Sequence, residues 1–499
     1  MATRVAEVLD SRAPWLTTRR AKAIAVSLLA GLAAFVLAAW VGPQPMHLGF
    51  QTSGDGQLAG LVRASLGADG SHESTVGYRA IAVATITGNK TQWAGLGNRG
   101  DGEAPTSTTP FELGSITKLF TGLMLADAVD RGEVKLEDTL DMYLPDFSGT
   151  LAGGVTLGEL ATHRSGLPAY ADDETGATYE GVGASDVASI TASDVVIQAA
   201  GLLLSGRGTY QYSNLGVTLL GDALTVAAGA PSWVWLVNER VLKPAGMRHT
   251  TFAAATEQVP IGAAVGSRVD GVRTPYSVGA GYFPAGTATF TTASDVAAFA
   301  RWILDGRAIG MWALQPRYTV SDTDSIGLVW MSTTTSTGVR SWHNGSVPGF
   351  TAMLRLDLGG HRAVAVLGNT DASVELLGNR LLDPTSTPMD TTPWTHGLLA
   401  LLAGVMIVAC VFSAARMKRW YVGAAITVVA SASLVLLLRY APWQNLPGWI
   451  WAAVSAGAAS ASLVGIGHTT RRGLALSLSL AFGAIAAVAF NGIVMWMAG

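Results

Sequence analysis

The chain has a single cysteine, Cys410, among its 499 residues, so it can build neither a disulfide framework nor a cysteine metal site. Charge is scarce as well. Asp, Glu, Lys and Arg make up 13% of the residues while hydrophobic types make up 49%, too apolar a balance for an ordinary soluble protein. Acids are missing altogether from Thr391 to Gly499. The eight histidines (47, 72, 163, 249, 343, 361, 396 and 468) stand apart, with no pair at metal-ligand spacing. No Walker loop occurs, and Gly279-Ala280-Gly281 lacks the third glycine and the strand–helix context of a dinucleotide site. The residues therefore predict no metal and no cofactor. Gly42–Asp390 carries 21 Lys and Arg against 33 Asp and Glu, a net of −12. An acidic middle argues against a nucleic-acid partner, which demands a positive footprint.

What replaces charge is long apolar runs. Residues 1–22 form a polar, basic tail, and Ala23–Val41 is an apolar run long enough to cross a bilayer. The alternative is a cleaved signal peptide. The long leading segment and the lack of an A-x-A site before Gly42-Pro43 favour an uncleaved anchor. After Trp394 come four more apolar spans, about 398–415, 422–438, 450–467 and 474–497, so residues 394–499 are expected to form a four-helix transmembrane module. Arg416, Lys418 and Arg419 follow the first of these, and Arg471-Arg472 follow the third. The positive-inside rule then puts the N-terminal tail and these clusters in the cytoplasm, with the middle of the chain and the C-terminus outside. None of the spans carries an acid, which favours an anchor or scaffold over a proton or ion path. Their Ala, Gly and Ser content suits helix packing, including against a membrane-protein partner.

Between a linker at 42–56 and Asp390 the pattern is that of a globular domain. Gln57–Leu66 reads as an amphipathic helix, and Ala80–Ile86 and Gln92–Leu96 as strands joined by a turn at Thr87-Gly88-Asn89. Helical patterns follow at Val155–Ala161, Asp186–Leu204, Leu215–Ala228, Ser232–Val241 and Ser294–Leu304, with a Gly-rich surface loop expected at Asp172–Gly183. Strand patterns return at Ile326–Met331, Val339–Trp342, Thr351–Asp357 and Ala363–Asn369. Strands at both ends with helices between them predict one α/β domain, 57–390, whose sheet is built from both ends of the segment.

Three short stretches carry reactive chemistry. In Phe111–Gly122 (FELGSITKLFTG), Ser115 and Lys118 stand three residues apart at the start of a helix-compatible run, so the hydroxyl and the amine can share a face. A lysine with a lowered pKa can take the proton that makes a serine nucleophilic. Alone, S-x-x-K recurs by chance on surface helix turns. In Tyr210-Gln211-Tyr212-Ser213-Asn214, Tyr212 can serve as general acid or base near a lysine, and Asn214 can orient a substrate amide and hold the lysine. A capped turn with a half-buried tyrosine explains the same residues. In Ser341-Trp342-His343-Asn344-Gly345-Ser346, read as the end of a strand, Gly345 lets a substrate backbone lie along the edge. The Ser346 N–H can join that of Ser115 as an oxyanion hole, and His343 supplies a titratable donor.

Ser115-x-x-Lys118, then Tyr212-x-Asn214, then His343-x-Gly345, in that order, resembles the serine β-lactamase and penicillin-binding-protein superfamily, and in particular its class C β-lactamase, D-alanyl-D-alanine carboxypeptidase and esterase branch. Leu160–Pro168 (LATHRSGLP) resembles that branch's L-L-T-H-T-S-G-L-P loop. Leu242–Met247, Pro284-Ala285-Gly286 and Thr292–Asp295 are similar to further segments of it. The resemblance implies an antiparallel sheet flanked by helices plus an all-α lobe, here with transmembrane helices at both ends. It also implies an acyl-forming Ser115, proton transfer shared by Lys118 and Tyr212, substrate contacts at Asn214, Gly345 and Ser346, and a small peptide or ester substrate. His343 stands where many members have lysine, which makes β-lactam hydrolysis less expected than peptidase or esterase action. His163 reads as a structural loop residue. The expected protein is a serine hydrolase of a bacterial cell membrane with its domain outside, cleaving amides or esters such as D-alanyl peptides. The rival of another class is a non-hydrolysing receptor for β-lactams or muropeptides.

Overall fold

The computed structural model describes residues 46–66, 77–171, 190–269 and 271–384, together with Leu32, Ala33 and Val36, which are helical. Among the described residues no helix is long and apolar enough to cross a membrane. Apart from those three residues, the five spans expected from the sequence lie outside the described residues. So do the expected loop at 172–183 and the start of the helix expected from Asp186.

His47–Val269 and Arg273–Met389 form one compact unit. Its elements are β1 (Thr52–Gly54), α1 (Gly56–Leu66), β2 (Ala80–Thr87), β3 (Lys90–Gly97), β4 (Phe111–Glu112), α2 (Lys118–Asp130), α3 (Leu157–Ala161), α4 (Ala192–Ala200), α5 (Asn214–Ala227) and α6 (Trp233–Val237). They continue with β5 (Thr251–Phe252), β6 (Thr289–Thr291), α7 (Ala293–Leu304), β7 (Tyr318–Thr319), β8 (Asp324–Ile326), β9 (Met331–Thr335), β10 (Gly338–Val347), β11 (Phe350–Asp357), β12 (Arg362–Gly368) and α8 (Glu375–Leu382).

The main sheet runs β1-β3-β2-β12-β11-β10-β9-β8-β7 and every pairing is antiparallel. Sequence ends meet in its middle, where β2 pairs β12 from Ile81↔Gly368 to Thr87↔Arg362. These central strands are nearly continuous apolar runs because both faces are covered. Ile81, Val83, Val364 and Val366 join Met353 of β11 against Leu58, Val62 and Leu66 of α1 and Leu377 and Leu382 of α8. The alternate residues Ala82, Ala84, Ile86, Ala363, Ala365 and Leu367 face the larger core around α2, α5 and α7. Small alanines on that face let α7 lie close, and Phe120 of α2 meets Phe299 of α7 edge-on at 5.0 Å.

Local signals set the helix starts. Thr156 and Glu159 form a reciprocal capping box on α3, Thr191 and Asp194 do the same on α4, and Thr292 caps α7 through the N–H of Asp295. Two strand expectations need correction. Ile326–Met331 is not a strand: β8 ends at Ile326, Val329 has φ 62°, and β9 begins at Met331. Left-handed backbone at a β-branched residue breaks a ladder, and an apolar run does not reveal it. The strand expected to end at Trp342 runs on to Val347, because β11 supports it through Val347↔Phe350. The helix expected over Ser232–Val241 is α-helical only to Val237, with a π-helical turn at Asn238–Leu242.

Candidate active site

Ser115 does not sit in the α-helix that its motif suggests but in a 3-10 turn, Gly114–Thr117, with α2 starting at Lys118. Three residues per turn bring positions i and i+3 into line, and Lys118 Nζ lies 2.8 Å from Ser115 Oγ. Gly114 enters this turn at φ 62°, a left-handed conformation that glycine adopts freely. Lys118 is fully buried, donates to Ala285 O at 2.6 Å, and has no acidic partner among the described residues. Burial holds its pKa well below the ordinary lysine value, which favours the uncharged amine toward the serine.

Tyr212 comes from the segment before α5, which Ser213 caps through the Gly216 N–H at 2.9 Å. Its hydroxyl donates to Ser115 Oγ at 2.8 Å. Burial pushes the phenol's pKa up, partly opposed by the bond to Ser115. The raised pKa keeps the phenol protonated, and the lowered pKa of Lys118 suits its amine to accept the serine proton. Asn214 is the first residue of α5, and among the described residues it makes no hydrogen bond to Lys118. The expectation that it holds the lysine gives way to the Ala285 carbonyl, in the loop before β6, which accepts from Lys118 in its place.

Beside the nucleophile runs a free strand edge. β9 pairs with β10 only as far as Trp342↔Met331, so among the described residues His343–Val347 have no strand on that side. Closure of the hairpin at Val347↔Phe350 makes alternate residues, including Asn344 and Ser346, turn their N–H and C=O away from β11. The 3-10 turn fills part of that side. A methyl built on Gly114 would lie 2.9 Å from Ser346 N, and one built on Gly345 would lie 2.1 Å from Leu113 O and 3.3 Å from Ser115 N. The two N–H groups expected to form an oxyanion hole thus border the same junction. His343 is buried, its Nδ1 pairs with Asn344 O at 2.6 Å, and its ring lies 6.4 Å from that of Tyr212. Burial, with the neighbouring Lys118 adding to it, lowers its pKa from the ordinary 6.5 to about 4, so the imidazole is neutral near pH 7. Asn344 points across the sheet to Glu375 of α8, taking that side chain away from the nucleophile.

Ser115, Lys118, Tyr212, His343, Gly345 and Ser346 are therefore brought together, with Asn214 one residue beyond the Ser213 cap. Sequence reasoning missed two members of the cluster. The Ala285 carbonyl belongs to Pro284-Ala285-Gly286, a segment that the sequence marks only by its family likeness. His163 was read as a loop residue, yet its ring lies 4.5 Å from that of Tyr212. Among the described residues no group of three or more His, Cys, Asp or Glu is placed to hold a metal ion.

An antiparallel sheet packed on helices, with a serine between lysine and tyrosine at a strand edge, defines a β-lactamase-like α/β fold. A class C β-lactamase from Rhodobacter sphaeroides superposes with a TM-score of 0.54, covering 64% of this chain and 97% of that one at 20% sequence identity. Residues 68–383 match the model of the Beta-lactamase family, and the chain belongs to that family. The D-alanyl-D-alanine-carboxypeptidase/endopeptidase AmpH of Escherichia coli (strain K12) is 32% identical over 190 residues, 36% of this chain and 47% of that protein. Esterase EstB of Burkholderia gladioli is 32% identical over 170 residues, 32% of this chain and 43% of that protein. The matched part thus spans less than half of each of these two relatives.

Proposed function

We propose that the chain is a membrane-anchored, extracytoplasmic serine hydrolase that works through an acyl-enzyme on Ser115. Its favoured substrates are amides or esters of D-alanyl peptide type from the cell wall. The observation that carries this reading is Ser115 Oγ standing 2.8 Å from both Lys118 Nζ and Tyr212 OH. In the first half-reaction the neutral amine of Lys118 takes the Ser115 hydroxyl proton and Oγ bonds to the substrate carbonyl carbon. The developing oxyanion faces the N–H groups of Ser115 and Ser346, which a tetrahedral intermediate requires. Tyr212 passes its proton to the leaving nitrogen or oxygen as that bond breaks, and the Lys118 ammonium restores it. Water then attacks the acyl carbon, Lys118 takes its proton, and Ser115 leaves with a proton returned to Oγ. Substrate backbone lies along the free edge of β10, Asn214 meets its amide, and neutral His343 offers a donor without a fixed charge.

A neutral group at position 343 offers a substrate carboxylate no permanent cation, which supports esters and amides without a carboxylate at that place over β-lactams. The apolar runs at 23–41 and after 394, with their basic flanks, support the membrane anchor and the outside placement of the domain. The test uses the full chain in detergent, offered a peptide ending in D-Ala-D-Ala, a chromogenic cephalosporin and short p-nitrophenyl esters, beside Ser115→Ala. Turnover of the peptide or an ester that disappears in Ser115→Ala is expected. Full turnover by Ser115→Ala would remove the nucleophile.

A further inference from the structure

His163 stands where a loop and the Tyr212 segment lie side by side. Its carbonyl accepts from Gln211 N at 2.7 Å, its Nδ1 accepts from Ser213 N at 3.2 Å, and its ring lies 4.5 Å from that of Tyr212. One residue thus grips the positions before, at and after the tyrosine. The loop around it is tied to the same segment along its length: Ser205 N donates to Gly166 O at 2.8 Å and Leu215 N to Ala169 O at 3.0 Å, and Ser213 Oγ donates to Pro168 O at 2.6 Å.

Two features say that the imidazole is there for more than filling space. His163 adopts φ 55°, a left-handed backbone uncommon outside glycine and suited among side-chain residues to Asn, Asp and His. An amide N–H can only donate, so Nδ1 must be the unprotonated nitrogen and the proton sits on Nε2. That Nε2 is buried without a hydrogen-bond partner, a cost that a packing residue such as leucine would avoid. The ring is 1% exposed and cannot reach a substrate itself. Burial above all keeps it neutral, as the Ser213 bond requires.

We propose that His163 is a positioning residue for Tyr212, holding the phenol against Ser115 by clamping its neighbours' backbone and one face of its ring. The proposal rests on the reading of Ser115 and Tyr212 given above. Its test is a double-mutant cycle on the full chain, with a fluorophosphonate that phosphonylates the active serine and releases fluoride, so no natural substrate is needed. The second-order labelling rate at Ser115 is measured for wild type, Tyr212→Phe, His163→Asn, His163→Phe and the two doubles, all below the lowest melting midpoint. His163→Asn keeps an acceptor near Ser213 N and tolerates the left-handed backbone, while His163→Phe keeps a ring, so each removes one half of the clamp.

Each His163 substitution is expected to slow labelling about tenfold or more when Tyr212 is present, the scale of loss from misplacing a catalytic group. In the Tyr212→Phe background the further loss should be under about twofold, because coupled residues are not additive. Equal loss in both backgrounds, or labelling at the wild-type rate by both His163 variants, would overturn the positioning role. An unlabelled wild type, or a Tyr212→Phe that labels as fast as wild type, would instead overturn the underlying reading of the site.

Discussion

Gly345→Ala perturbs the junction of β10 with the nucleophile turn by one methyl group. That carbon would lie 2.1 Å from Leu113 O, 3.2 Å from Leu113 C and 3.3 Å from Ser115 N. A carbon and an oxygen in van der Waals contact stand about 3.2 Å apart, so strand and turn must separate by about 1 Å in a core that has no slack. Neither side yields easily. β10 is held by β11 along Ser341–Val347, and Leu113 N donates to Thr289 O at 2.8 Å. Overpacking of this kind costs about 1–3 kcal/mol of stability. The kinetic loss should exceed it in consequence, since a misplacement of about 1 Å at a reacting group can cost about 100-fold. The assay pairs a thermal melt with the fluorophosphonate labelling rate of the full chain. Gly60→Ala in α1 is the control: nothing lies within 4 Å of its added methyl, and a helix-interior alanine should raise stability by about 0.5–1 kcal/mol without touching labelling. If Gly345→Ala melts and labels like wild type, the close approach of strand and nucleophile is not real and the oxyanion reading falls with it.

Other substitutions separate charge from shape. Lys118→Met replaces a buried amine lacking an acidic partner by an apolar chain of similar length. Labelling should fall by about 100-fold or more for loss of the base, while the melting midpoint holds or rises, since burying a charge-bearing group costs stability; a lower midpoint with normal labelling would contradict both halves. Glu112 is buried, with one carboxyl oxygen accepting from Ser277 N at 2.9 Å and the other unpartnered, and burial raises its pKa from the ordinary 4.5 to about 8. The folded chain therefore holds a proton there that the unfolded chain has released. Its contribution to stability shrinks by about 1.4 kcal/mol per pH unit as pH rises through that window. Glu112→Gln should flatten the loss between pH 5 and pH 8 in denaturant melts, and an unchanged slope would refute it. On the acid side His343, neutral down to about pH 4 in the fold, takes up its proton near 6.5 when unfolded. Stability should drop by up to about 3 kcal/mol between those values as pH falls, and His343→Gln should remove that share of the drop.

The parts of the site that depend on neighbours in sequence could be read without coordinates. Ser115 and Lys118 are a local pair, and their spacing suffices to bring them together whether the turn is α or 3-10. The hairpin of β2 and β3 was legible for the same reason: two apolar runs flank Gly88, which takes φ 55°. What stayed hidden lies between segments far apart in the chain. The acceptor for Lys118 is a backbone carbonyl 167 residues away, and no side-chain pattern announces a carbonyl. The continuation of β10 past Trp342 depends on pairing with β11, and the free edge on its other side depends on where β9 happens to end. His163 looked like a loop residue because its loop is one; its significance is set by Tyr212, 4.5 Å away in space and 49 positions on in sequence. A lysine of lowered pKa beside the serine was open to expectation, but the burial that lowers Lys118 and raises Tyr212 comes from segments far apart in the chain, which composition cannot supply.

The measurement that bears most directly on the whole account is intact-mass and peptide-level mass spectrometry of the full chain incubated with penicillin and, separately, with the fluorophosphonate, wild type beside Ser115→Ala. A single phosphonyl adduct mapped to Ser115 in the wild type and none in Ser115→Ala is the predicted result with the fluorophosphonate, and any penicilloyl adduct maps to the same serine. Adducts of equal extent on both proteins, or an adduct mapped to a residue other than Ser115, would contradict the central claim that this serine is the nucleophile.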